Sequence, residues 1–340
     1  MRRTHGSNFT ADKKEILGAF LSDSGLAYPV IGRLIDLRPG NAIPVSPDSA
    51  SINEDRQRSV KSSVQEWYDE FGWQRNADGT LKDTACFSQS APTDHAIYER
   101  LSHLSLVDRL QGGRFMLDAA SGAIPHTEYL AYSWNHKYRV CVDFSETALH
   151  EADNRVGDHG FFCLADICSL PFADGVFDGA VSGYTIQHIP EQQQERALQE
   201  IFRVLSPGHH MLVMSGVAVG TAHRILYKLT RGARTALDML RIIRRAPCVP
   251  GISAGEQPPH ELYCKYRDVS WWRKTVAKLS PDASIQSLRL FSKMEFEALR
   301  MRRSGIKSLR AIETLFPRLL GRYSVYILAD IVKPIREDNA

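Results

Sequence analysis

The 340-residue sequence has no C-x-x-C pair, no low-complexity tract, no apolar run long enough to cross a bilayer and little net charge. Each absence narrows the function classes. Six cysteines (Cys86, Cys141, Cys163, Cys168, Cys248, Cys264) lie scattered, the usage of a reducing cytoplasm. Cys141 and Cys163 fall in apolar strand-like runs, where a free thiol packs as a small hydrophobe. A formal charge of +3 is too small to point to nucleic acid. The opening "MRRTHGSNFTADKKE" has basic residues without an apolar run behind them, so no signal peptide is expected there. The most apolar stretch, "ILGAFLSDSGLAYPVIGRLIDL", carries Asp23, Arg33 and Asp36 and is not expected to span a membrane. What remains is an ordinary globular composition, 43% hydrophobic and 24% charged, long enough for one large core or two modest ones.

The periodicity divides the chain. Residues 51–110 read as helices, with Val60, Val64, Trp67, Tyr68 and Phe71 near helical spacing. From 111 to 217, strand-length runs ("RFMLDAA", "YRVCVDF", "GFFCLADI", "FDGAVSGY", "HHMLVMSGV") alternate with helix-like segments such as "EQQQERALQEIFRVLSPG". Strands alternating with helices imply right-handed crossovers and an α/β fold with a doubly wound, mostly parallel sheet. Residues 218–267 interrupt the alternation with a helical lid insertion, and 268–340 return to complete the sheet.

Three strand candidates end in an acid: Asp118, Asp143 and Asp166, spaced 25 and 23 residues apart, about one βα unit each. A parallel sheet brings them to one edge, where ligands sit outside the carboxyl ends of strands. Three bare carboxylates repel one another, so something separates or bridges them. A metal would take oxygen ligands. An extended polar ligand would instead give each acid its own donor, a ribose diol at the second strand and an adenine amine at the third. A single strand-end aspartate is commonly just a helix N-cap; three in register beside a Gly/Ser loop point to a site.

The segments "FMLDAASG", "VCVDFSETAL", "CLADICSLPFADGVFDGAVSGYTIQHI" and "EIFRVLSPGHHMLVMSG" resemble, in order and spacing, the successive motifs of class I S-adenosylmethionine-dependent methyltransferases. They are most similar to the small-molecule branch related to quinone-biosynthesis methyltransferases, over about 100 residues, 114–217. The resemblance implies a Rossmann-like core, S-adenosylmethionine as cofactor and a small-molecule acceptor methylated at oxygen or nitrogen. It implies that Asp118, Ala120, Ser121 and Gly122 cradle the methionine and sugar portion. Asp143 would hold the ribose hydroxyls with Phe144 beside the adenine, and Asp166 the adenine amine with Ile167 next to it. Ser182, Gly183 and Tyr184 would line cofactor and acceptor, and Tyr68 would close over the cofactor. The catalytic candidates are His188, Tyr184 and His126, with His136 a further acid/base group, since methylating a hydroxyl requires its proton to leave. Each also reads as pocket lining or core, and in-line positioning can suffice without a base.

The loop departs from the family's D-x-G-x-G-x-G: residues 118–124 read "DAASGAI", keeping only the middle glycine, Gly122. Glycine permits positive φ and close backbone approach; alanine adds one methyl, and Ile124 must pack away from a ligand. Pro125 suits a first helical turn. The absence of G-x-G-x-x-G argues against an NAD oxidoreductase, and a cofactor without phosphate needs no anion nest. The alternative function is a protein that keeps the cofactor fold without methyl transfer. Residues 1–50 resemble small zinc-ribbon-like modules, but Ser22 and Ser24 stand where thiolates would bind, so a metal-free, degenerate module is expected. Residues 222–245, "AHRILYKLTRGARTALDMLRIIRR", form a basic amphipathic stretch, read as a lid helix or a peripheral membrane contact.

Overall fold

The strand-length runs pair into one mixed sheet of 12 strands. The computed structural model describes residues 26–38, 58–77, 79–83, 94–218, 260–299 and 301–335, with short strand pieces at 2–4, 10–11, 14–15, 18–21 and 43–44. The principal strands are β1 (Leu26–Ile31), β2 (Leu34–Asp36), β3 (Gly113–Ala119), β4 (His136–Asp143), β5 (Gly160–Leu164), β6 (Ala180–Gly183), β7 (His210–Gly216), β8 (Ser284–Arg289) and β9 (Tyr326–Val332). Across the sheet they run β1-β2-β5-β4-β3-β6-β7-β9-β8. From β2 to β7 every pair is parallel, and β9 is antiparallel to both its neighbours. The chain winds outward from β3 through β4 to β5, then returns to β6, so the topological switch point lies between β3 and β6. A doubly wound sheet opens its ligand crevice there, at the carboxyl ends.

The helices are α1 (Arg58–Trp67), α2 (Asp94–Leu104), α3 (Glu146–Val156), α4 (Gln194–Val204), α5 (Val269–Leu279), α6 (Lys293–Ala298), α7 (Arg303–Leu315) and α8 (Pro317–Leu320). In α4 the buried residues Gln194, Ala197, Leu198, Ile201 and Val204 recur at the spacing of one helical face. That face packs with Trp272 and Val276 of α5 on the largest core cluster. Helix starts are capped as their sequences require: Ser145 accepts from the Ala148 N–H at 3.0 Å, and Asp268 from the Trp271 N–H at 2.7 Å. The thiols of Cys141 and Cys163 are 0% and 3% exposed, and burial pushes that of Cys163 up to about 12.

The segment read as a separate N-terminal module contributes strands to this same sheet. The β1–β2 hairpin lies beyond β5, with Leu34 opposite Phe162 and Asp36 opposite Leu164. Without it β5 would present an unpaired edge, and Leu34 would lose its place against Phe162 and Leu164. Ser22 and Ser24, the basic stretch 222–245 and residues 219–259 of the insertion lie outside the described residues.

Candidate functional site

A cavity of about 450 Å³ opens at the carboxyl edge of the sheet, across the switch point. Its floor is the loop after β3, where the backbone is left-handed at Ala120 (φ 57°), Gly122 (54°) and Ile124 (50°). These are the three glycine positions of the family pattern, so the loop keeps that backbone shape with one glycine in place of three. An L-residue in this region costs about 1–2 kcal/mol, and a β-branched one is a pronounced outlier. Ile124 offsets its cost by burial: it is 0% exposed, packed with Leu34, Cys141, Leu149 and Phe162 behind the loop, worth about 1.5–3 kcal/mol. It faces the core, as the sequence requires, and Ala120 and Gly122 face the cavity. At Gly122 an added Cβ would lie 2.9 Å from the Trp73 ring. Gly122→Ala is therefore expected to lower stability by about 1–3 kcal/mol, from clash and positive φ together. Urea unfolding checks this, and an unchanged midpoint would show that Trp73 moves aside freely.

The three strand-end acids have three different environments. Asp118 is 5% exposed and is held by Arg139 of β4, whose Nε donates to Oδ2 at 2.9 Å and whose Nη2 donates to the same oxygen. Arg139 also donates to the Tyr129 carbonyl at 2.7 Å. Asp143 is 7% exposed and accepts backbone N–H bonds from Gly122 and Ser145, both at 2.9 Å. Burial pushes its carboxyl up to about 6, with the two N–H donors pulling the other way. Asp166 departs from the expected role: it is absent from the cavity lining, its carboxylate taken by Lys61 of α1 and by the Cys168 N–H at 2.9 Å.

Ile167 and Ser182 are likewise outside the lining. Ile167 is 6% exposed in the main core. On β6 the alternation of side chains gives Val181 and Gly183 to the cavity and turns Ser182, 0% exposed, to the opposite face. Tyr68, Phe144, Ser121, Tyr184, His188 and His126 all line the cavity. His136 sits at the amino end of β4, with Nε2 3.4 Å from the Asp178 carbonyl, and so lies at the wrong edge for acid/base work.

Beyond the loop, the cavity ends in a compartment of phenols and imidazoles of which the sequence reading named Tyr184 and His126 but not His103, Tyr129 or Tyr132. The Tyr132 hydroxyl lies 2.6 Å from His103 Nδ1 and 3.4 Å from the Met214 sulfur. His103 Nε2 lies 3.0 Å from the Tyr184 hydroxyl, and in the tautomer protonated at Nδ1 it carries the lone pair that accepts the Tyr184 proton. The Tyr184 oxygen in turn accepts from Arg289 Nη2 at 3.1 Å. Burial, then the nearby Arg289 charge, lowers the His103 pKa well below its usual value, so the ring is neutral. Arg289, 3% exposed, pairs with Glu99 and lies over the Tyr326 ring at 4.1 Å. Tyr184 itself has φ 56°, a strained conformation for an aromatic residue, found typically at functional sites. His188 donates Nδ1–H to the Tyr263 carbonyl at 2.8 Å, tying the 260–267 segment to the cavity wall.

The missed residues left a trace in the sequence. Glu99 and His103 stand one helical turn apart in "DHAIYERLSHL", and Arg139 and Arg289 are charges inside otherwise strand-like runs. A buried charge in a strand has a partner, which neither periodicity nor motif spacing names.

The lining is a test of what the cavity can hold. Arg139 neutralises Asp118 and Arg289 neutralises Glu99, which leaves Asp83, Glu128 and Asp143 as lining carboxylates with no cationic partner among the described residues. Burial raises Asp83 to about 7. An acidic surplus suits a cationic, phosphate-free ligand and opposes a dinucleotide diphosphate.

Residues 117–213 match the methyltransferase domain family model. A demethylmenaquinone methyltransferase of Desulfitobacterium hafniense is 30% identical over 102 residues, covering 28% of this chain and 40% of that protein. The methyltransferase GfsG of Streptomyces halstedii is 28% identical over 141 residues, 40% of this chain and 47% of that protein. The chain thus spans under half the length of these relatives. A solved DhpI–SAH complex aligns over 84% of this chain and 100% of its own, at 12% identity and a TM-score of 0.48. The motifs in order, the doubly wound sheet and the matched segment together identify residues 117–213 as a methyltransferase domain of the class I S-adenosylmethionine-dependent family.

Proposed function

We propose that the protein transfers the methyl group of S-adenosylmethionine to a small-molecule acceptor, at oxygen or nitrogen. The observation that carries this reading is the division of one cavity into two halves. One half is the left-handed loop with Asp143 and an acidic surplus; the other is the ordered Arg289–Tyr184–His103–Tyr132 row.

Asp143 would accept the ribose hydroxyls, Phe144 would lie beside the adenine, and the backbone of Ala120–Gly122 would face the methionine portion. When bound, the cofactor supplies an electrophilic methyl on a sulfonium. The chain supplies orientation, exclusion of water and an outlet for the acceptor's proton. Tyr184 can take that proton on its oxygen while passing its own to the lone pair of His103 Nε2. A weak base is adequate, because an acceptor O–H or N–H becomes strongly acidic as the new bond to carbon forms. The depressed pKa of His103 is thus compatible with the task, and keeps the ring neutral, ready to accept, across the ordinary pH range.

His103→Phe should lower kcat by about a hundredfold or more, leaving cofactor affinity within about twofold. Measuring S-adenosylhomocysteine release alongside calorimetry checks this, and an unchanged kcat would remove His103 from the proton path. For the function as a whole, the test is incubation with S-adenosylmethionine and a panel of hydroxylated and amine-bearing small molecules, with mass spectrometry of the products. An acceptor one methyl heavier, formed with stoichiometric S-adenosylhomocysteine, is the expected result. Tight cofactor binding with no product from any acceptor would support a cofactor-binding protein without turnover.

A further inference from the structure

Of the twelve large apolar side chains exposed among the described residues, five lie within one short segment: Ile312, Leu315, Phe316, Leu319 and Tyr323. Leu315 is 71% exposed, and the other four are each about half exposed. Ile312 and Leu315 lie in the last turn of α7, Leu319 lies in α8, and Phe316 and Tyr323 flank α8. A hydrogen bond from the Phe316 N–H to the Ile312 carbonyl closes α7 and one from the Leu320 N–H to the Phe316 carbonyl opens α8, both at 3.0 Å, with the chain turning between them at Phe316 (φ −127°, ψ 47°). The opposite row of α7, Ile306, Leu309 and Glu313, is buried against α2 and β8. A surface helix needs one apolar stripe to hold it to the core, and this segment has further large apolar side chains facing solvent. Large apolar side chains exposed this close together form a candidate interaction surface.

The charge within this segment is nearly all of one sign. Residues 301–324 hold six cations (Arg302, Arg303, Lys307, Arg310, Arg318, Arg322) and one acid, Glu313. That acid is buried and engaged with Tyr98 and Arg310. Among the described residues, Arg303 and Arg310 are the two of these cations paired with an acid, Asp94 at 3.4 Å and Glu313 at 2.7 Å. A second copy of the chain docked face to face would bring two cationic rims together, which self-complementary contact disfavours. A surface of anionic phosphates over hydrocarbon satisfies both features at once.

We propose that the α7–α8 face docks on an anionic lipid bilayer. Leu315, Phe316 and Leu319 enter the boundary between headgroups and acyl chains, and Arg318 and Arg322 pair with lipid phosphates. This surface is separate in sequence from the basic stretch 222–245. It also lies close to the cavity: Glu313 on the inner row of α7 bonds Tyr98, and the adjacent Glu99 pairs with Arg289 in the cavity wall. Docking there sets the acceptor end of the cavity one helix from the membrane surface.

Co-sedimentation of the full chain with vesicles tests the proposal, using phosphatidylcholine alone and phosphatidylcholine with about one third phosphatidylglycerol, at about 50 mM salt. The wild type should pellet with the anionic vesicles and stay in solution with the neutral ones. Leu315→Asp with Phe316→Asp and Leu319→Asp should lower partitioning at least about tenfold. Arg318→Glu with Arg322→Glu should lower it at least about tenfold as well, from about 1 kcal/mol per cation. Both variants alter exposed side chains and should melt as the wild type does. No pelleting of the wild type at low salt would overturn the proposal, as would equal binding to neutral vesicles. Full binding by the Leu315 variant would place any lipid contact elsewhere. A lipid-free dimer by light scattering, dispersed by the same variant, would assign the face to a second copy instead.

Discussion

Arg139→Ala will destabilise the fold by about 3–5 kcal/mol, the cost of leaving a buried carboxylate without its partner. Arg139 is 1% exposed and Asp118 5%, so the pair meets solvent only where it lines the cavity. The loss has a second component, since Arg139 also satisfies the Tyr129 carbonyl beside the cavity. Replacing both partners, as Asp118→Asn with Arg139→Met, should recover much of the loss, because an isolated charge is what makes the single variant costly. Equilibrium denaturation of the three proteins measures the effect. A single-variant loss below about 1 kcal/mol would mean that the pair is solvated and has no structural role.

This pair also shows where sequence reading stops. The order of strands and helices was legible because periodicity reports burial: the faces of β3, β4 and α4 are written in their apolar residues. The cavity floor was legible because acids at strand ends and a small-residue loop recur one βα unit apart. The partner of each acid was not. Asp118 and Asp166 look equivalent to Asp143 in the sequence, yet Arg139 and Lys61 reach them from elements 21 and 105 residues away. Ser182 was misplaced because motif position was allowed to outweigh the strand alternation that turns it from the cavity. The left-handed backbone at Ala120 and Ile124 could not be expected from residue type, since both residues disfavour it. It follows from what surrounds them, Ile124 being locked into a buried cluster. His103 and Arg289 come from α2 and β8, on either side of the matched segment, and converge only in three dimensions.

Asp143→Ala should weaken S-adenosylhomocysteine binding by about a hundredfold. Two charge-assisted hydrogen bonds to a ribose diol are worth about 1.5–3 kcal/mol each, and water restores part of the loss. The buried carboxyl, raised to about 6, adds a pH signature. Only the ionised form accepts from both hydroxyls, so affinity should be full above about pH 7. It should then fall roughly tenfold per unit below pH 6 as the proton competes. The Ala variant should lose that dependence. Asp166→Ala, whose carboxylate is occupied by Lys61, should change affinity less than Asp143→Ala does.

The most direct test is a calorimetric titration of the wild-type protein at pH 7.5 with S-adenosylhomocysteine and, separately, with NAD. One S-adenosylhomocysteine per chain and no heat from NAD is the expected result, with the affinity collapsing in Asp143→Ala. No binding of S-adenosylhomocysteine, or an Asp143→Ala variant that binds it as tightly as the wild type, would contradict the placement of the cofactor at the carboxyl edge of the sheet.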